Sequence, residues 1–127
     1  VYALGARRFD MGAADSMIHL PMSTSALERI VDWSAAEIQS SLRVLTDRIA
    51  ERADAIGFVV PPRERRVGHF IGLWPQKPLP DDLIDSLKAR GVYVSLRGGA
   101  IRVSPYLFND TADIDTLFEA LEQLLRA

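Results

Sequence analysis

The sequence predicts a small α/β (α+β) domain, a two-layer sandwich in which helices cover one face of a largely antiparallel sheet. Three observations carry this. Helical periodicity dominates both ends of the chain, in Leu20–Trp33 and Ile38–Ala53 and again in Ile114–Leu124. Short β-branched and aromatic runs occupy the middle, broken by Pro61-Pro62, Pro75 and Gly98-Gly99. One short amphipathic segment, Leu83–Leu87, separates two pairs of such runs. The predicted order is α-α-β-β-α-β-β-α, and such an order buries one helix stripe and one sheet face against each other.

The first helix is predicted over Leu20–Trp33, starting near Pro21, with Leu20, Ala26, Leu27, Ile30 and Val31 at helical spacing. Ser34-Ala35-Ala36-Glu37 has the S-x-x-E capping-box pattern and predicts a second helix. Its apolar positions Ile38, Leu42, Leu45, Ile49 and Ala53 recur at threes and fours, and Gly57 is its stop. Phe58-Val59-Val60 and Gly68–Trp74 are predicted strands. Asp81 and Asp82 suit the positive end of a helix that runs to Arg90, with Gly91 as its cap. Val92–Ser95 and Ala100–Ser104 read as a hairpin about an Arg97-Gly98-Gly99 turn. Asn109–Asp113 reads as the cap of a last helix ending at Arg126, with Asn109 placed to do the capping.

Composition narrows the function classes. The chain has 127 residues, is 48% hydrophobic and 25% charged, and carries a net charge of -2. There is no strongly basic field of the kind that gathers nucleic acid or anionic membrane. No apolar run reaches the length of a membrane span. With no cysteine there is no disulfide framework, cysteine nucleophile or cysteine zinc site. The two histidines, His19 and His69, lie far apart and read as structural, so metal binding and a nucleophilic triad lack support. No carboxylate pair is placed as general acid and base. Arg63, Arg65 and Arg66 read as a solvated loop rather than a phosphate patch, and Gly98-Gly99 as a turn rather than a phosphate cradle. The irregular opening, Val1–Gly12, reads as a linker entered from elsewhere, so the chain is expected to be a piece of a longer protein.

Arg102 stands apart. In Ile101-Arg102-Val103-Ser104 the apolar residues share one face and Arg102 and Ser104 the other, and Pro105 ends the ladder. A guanidinium held there is either a half-exposed charge lying over a sheet or a fork awaiting a carboxylate or phosphate.

Three blocks resemble a known family. They are GARRFDMG at Gly5–Gly12, LPMSTSALERIVDW at Leu20–Trp33, and RGVYVSLRGGAIRVSPYLFNDTADIDTLFEALEQL at Arg90–Leu124. They look like the C-terminal portion of class V aminotransferase-fold enzymes, which depend on pyridoxal phosphate, in the branch resembling isopenicillin N epimerase and cysteine desulfurase. The resemblance implies a homodimeric enzyme acting on an amino acid. Residues 1–19 would be a segment leaving a large cofactor domain, and residues 20–127 the C-terminal small domain. Arg102, in the block IRVSP-x-x-x-N, would grip the substrate's α-carboxylate. Family members approach the neighbouring subunit's cofactor phosphate just past the glycine that Gly12 matches, often through a hydroxyl. Here Ala13 stands in that place and Ser16 is the substitute. The desulfurase cysteine is missing, which argues against sulfur transfer through a persulfide. The lysines, Lys77 and Lys88, do not match the family's Schiff-base lysine, which lies in the large domain. The chain alone is therefore expected to be inactive, as the substrate-gripping part of a cytoplasmic enzyme that binds neither nucleic acid nor membrane. The alternative is a stand-alone ligand-binding or dimerisation module with the same small-domain fold.

Overall fold

A computed structural model describes residues 4–9 and 17–126. By Cα packing the chain divides into two compact units, residues 1–35 and 36–127. The first unit contains a 3-10 turn, Gly5–Phe9, and helix α1, His19–Trp33. Pro21 sits in the first turn of α1, where its missing N–H costs nothing. The apolar stripe of this helix, including Leu20, Leu27 and Val31, is exposed. Ser34 closes α1 with φ of +57° and donates its N–H to the Val31 carbonyl at 3.1 Å.

The second unit has the predicted order. Helix α2 runs over Ala35–Ala55, followed by strands β1 (Phe58–Val59) and β2 (Ile71–Pro75). Helix α3 (Leu83–Ala89), strands β3 (Ser95–Arg97) and β4 (Ala100–Val103) and helix α4 (Thr111–Arg126) complete it. The sheet has four strands in the order β1-β2-β4-β3, and every neighbouring pair is antiparallel.

The strict alternation of side chains along a strand divides the sheet into two unlike faces. Ile71 and Leu73 of β2 and Ile101 and Val103 of β4 point into one core. Ile49, Ala50 and Ala53 of α2, Leu83 and Leu87 of α3, and Ile114, Leu117, Phe118 and Leu121 of α4 meet them there. These helical positions recur at threes and fours, so one stripe of each helix covers the same sheet face. Thr46 of α2, a buried polar side chain, donates its hydroxyl to the Arg43 carbonyl at 3.2 Å.

Charged side chains join elements at the rim of this core. From α2, Arg48 and Arg52 reach Asp115 of α4 at 2.8 Å each, and Arg52 also reaches Glu122 at 3.4 Å. Asp47 accepts from Arg63 at 3.0 Å and Arg66 at 2.9 Å. The arginine-rich segment is therefore only partly the solvated loop its charge suggests. It contains a 3-10 turn, Arg63–Arg65, fastened to α2, and the Arg66 side chain is only 11% exposed.

Strands β2 and β3 are displaced from the sequence reading, and β1 and β4 each end one residue sooner than read, at Val59 and Val103. β2 begins at Ile71 rather than Gly68, because the Gly68 N–H is taken by the side chain of Gln39 on α2 at 3.3 Å. β3 is Ser95–Arg97 rather than Val92–Ser95. Gly98 and Gly99 have φ of +56° and +80°, the signature of a two-residue primed turn, which places Arg97 opposite Ala100. The preceding segment turns out of α3, with the Val92 N–H bonded back to the Leu87 carbonyl at 3.0 Å.

Candidate functional site

The sheet face opposite the helices carries the candidate site. Arg102 lies in β4 directly across from Gly72 of β2 on one side and Ser95 of β3 on the other, so these three residues share the open face. Arg102 is exposed. Its guanidinium carbon lies 5.2 Å from the centroid of the Phe70 ring, within range of a cation–π contact. Phe70 in turn meets His69 edge-to-face, with ring centroids 5.0 Å apart and planes at 75°. Trp74, two residues beyond Gly72, folds its indole back over the glycine. A Cβ at Gly72 would lie 2.8 Å from two carbons of that ring.

Among the described residues Arg102 belongs, with Arg43, Arg65, Arg90 and Arg97, to the arginines of this unit that no ion pair engages, and of these it is the one set against an aromatic ring. Arg48, Arg52, Arg63, Arg66 and Arg126 each have a carboxylate partner. Among the described residues no carboxylate lies within ion-pair distance of Arg102. Its guanidinium is exposed and lies against one aromatic ring, that of Phe70. That arrangement can take an external anion, and a planar carboxylate matches the guanidinium fork.

The exit from β4 is tightly braced. The Asn109 side chain accepts from the Tyr106 N–H at 2.9 Å and donates to the Asp113 carboxylate at 2.9 Å. The helix cap itself is Asp110, not Asn109. The Asp110 carboxylate accepts the N–H groups of Ala112 at 2.8 Å and Asp113 at 3.1 Å, while Asp113 accepts the Asp110 N–H at 3.1 Å. Asn109 thus ties the turn after Arg102 to the start of α4. The bond from Asn109, with the Asp110 N–H second, holds the Asp113 carboxyl below its usual range.

A cleft of about 410 Å³ lies between the segment after α3, the end of β4 and the first turns of α4. Its walls include Ile49, Val92, Val94, Ile114 and Leu117, with Ser104, Asn109 and Asp113 among its polar lining. Asn109 and Asp113 are bonded to each other there.

The other sequence candidates fall as follows. Ser16 lies outside the described residues. His69 meets Phe70 edge-on, and His19 begins α1. Among the described residues no group of His, Asp and Glu could hold a metal ion, and no helix is long and apolar enough to cross a membrane. Lys77 and Lys88 are exposed and line no cleft described for this fold. Among the described residues, then, neither lysine is set in a described cleft that could hold pyridoxal phosphate. Phe70, Gly72 and Trp74 were not singled out by sequence. Their i, i+2, i+4 spacing puts them on one strand face, but only the ladder register brings that face to Arg102.

No protein-family model and no curated protein matches the sequence. Solved structures do match. A NifS-like protein superposes with a TM-score of 0.80 at 18% identity, over 99% of this chain and 38% of its own. The alanine–glyoxylate aminotransferase of Nostoc sp. gives a TM-score of 0.69 at 23% identity, over 96% of this chain and 34% of its own. The lysine aminotransferase of M. tuberculosis, in its internal aldimine form, gives 0.58 at 25% identity, over 95% and 28%. The chain spans about a third of the length of the structures it matches. In fold, then, the chain is one portion of the class V, fold-type I aminotransferase-like architecture to which its sequence blocks pointed.

Proposed function

We propose that this chain is the substrate-carboxylate-binding, C-terminal part of a pyridoxal-phosphate-dependent enzyme of the class V aminotransferase fold, acting on an amino acid. The observation that carries this reading is Arg102, an exposed guanidinium on the open sheet face with no internal carboxylate partner among the described residues. The β-ladder fixes its Cα, and the fork can then meet an α-carboxylate in two parallel hydrogen bonds. Electroneutrality favours the same assignment, because a carboxylate supplies the charge that the neighbouring residues do not.

The cofactor belongs to a large domain outside this chain, and residues 1–19 lead from it, with Ser16 near the cofactor phosphate. The working enzyme is a cytoplasmic homodimer, and the isolated chain is inactive because neither Lys77 nor Lys88 can serve as the Schiff-base residue. Transamination, epimerisation and elimination all fit an amino-acid substrate. The absence of cysteine sets persulfide chemistry aside.

Two measurements test this. The native polypeptide, detected in its source cells with an antibody to this domain, should be several times heavier than 14.1 kDa and show a Schiff-base absorption band. In that polypeptide Arg102→Ala should weaken the apparent affinity for the amino acid and its turnover. A native species at the mass of this chain, or an unaffected variant, overturns the reading, and the first result would favour a stand-alone binding module.

A further inference from the structure

We infer that Phe70 is a positioning residue for Arg102: its ring holds the guanidinium by one face, so that the in-plane N–H donors stay free for an incoming carboxylate. This rests on the assignment of Arg102 as the carboxylate fork.

Among the described residues Arg52 and Arg102 each lie over an aromatic ring, and the contrast between them carries the inference. Arg52 lies 5.1 Å from the Phe118 centroid, but its N–H groups are already bonded to Asp115 and Glu122. Phe118 is fully buried, so that cluster is structural cement between α2 and α4. Arg102 lies at nearly the same distance, 5.2 Å, from Phe70, which is 39% exposed, and no carboxylate occupies its donors. The physical difference lies in which part of the guanidinium is engaged. A carboxylate takes the edge, where the five N–H groups point, whereas an aromatic ring takes the flat face. A residue that must be held still yet keep its edge available is served by a ring and disabled by an acid.

The strand geometry makes the arrangement specific. Gly72, directly across from Arg102, has no side chain to compete for the space above the sheet. Trp74 lies over Gly72 on one side, and Phe70 is the preceding residue on the same face. Phe70 is itself backed edge-on by His69, which restricts where its ring can sit. A long side chain otherwise free to sample many rotamers is thereby confined, and confinement before binding lowers the ordering cost of the ligand contact.

The experiment uses the 127-residue chain, its Arg102 Nε–H resonance in proton–nitrogen NMR, and sodium acetate as the probe. In the unsubstituted chain this resonance should carry a ring-current shift and a heteronuclear NOE well above that of Arg97. Phe70→Leu should abolish the shift, lower the NOE to the Arg97 level and weaken acetate binding by about 2- to 5-fold. Phe70→Tyr, which keeps the ring, should restore all three. The inference is overturned if the Arg102 NOE is already as low as that of Arg97, or if Phe70→Leu leaves it unchanged. The carboxylate assignment fails separately, if acetate leaves the Arg102 resonance unmoved while Phe70 still orders it.

Discussion

Gly72 lies directly opposite Arg102 in the β2–β4 ladder, and the indole of Trp74 occupies the space that a side chain at Gly72 would need. Gly72→Ala should therefore displace the indole rather than break the sheet, because a ring at the end of a side chain gives way more easily than backbone. The expected cost is about 1 kcal/mol, the low end for overpacking. A red-shifted Trp74 emission, read in a Trp33→Phe background, would report the displacement. An unchanged spectrum would mean that the indole does not need that space.

Arg102→Ala should separate function from folding. The side chain is exposed and adds nothing to the core, so melting temperature should move by no more than about 1–2 °C. In the cofactor-bearing polypeptide, kcat/KM for the amino acid should fall by at least about 30-fold, the lower end for loss of one partner of a hydrogen-bonded charge pair. A large stability loss with preserved catalysis would reverse the assignment.

Acid should destabilise the α2–α4 rim first. The Asp115 carboxyl is held below its ordinary value of 3.8, chiefly by the hydrogen bond from Arg48. Asp113 is held below the same value, chiefly by Asn109. In both cases folding favours the charged form, so the unfolded state binds more protons and stability rises with pH. The contribution is fully present above the ordinary value and is lost as pH falls through the lowered ones. Asp115→Asn should lower the melting temperature at pH 7, and its difference from the unsubstituted chain should shrink on acidification. A difference that stays constant down to pH 2 would show that these carboxylates do not set the acid limb.

Position in the core, not chemistry, should decide the cost of losing a phenylalanine. Phe118 of α4 is fully buried in the core, and Phe118→Ala should cost about 3–5 kcal/mol in urea unfolding. Phe108 is 81% exposed, and Phe108→Ala should stay within about 0.5 kcal/mol. Similar losses at the two positions would contradict the placement of the core.

The two helical elements that flank the sheet segment in sequence, α2 and α4, were legible because their apolar positions recur with the helix period over more than three turns. Leu42, Ile49 and Ala53, and Ile114, Leu117, Phe118 and Leu121, are buried as that period requires. The hairpin was legible from Gly98-Gly99, but its register was not. A glycine pair at positive φ sets a two-residue turn, and this moved β3 by several residues toward Arg97. Asn109 was legible as a residue that matters to the last helix, yet its bonding was not. Asn, Asp and Thr all suit a cap, and only coordinates show that Asp110 accepts the helix N–H groups while Asn109 bridges Tyr106 to Asp113.

Sequence alone determined that Arg102 stands on a strand, opposite in facing to Ile101 and Val103, because alternation along a strand is a local property of the backbone. Tertiary structure decided everything about that charge that bears on function. Pairing across strands put Gly72 opposite it, carried Phe70 to its face, and left it without an internal acid while other arginines received one. Those relations join residues about thirty apart in the chain, and no local periodicity encodes which strand lies beside which or in what register.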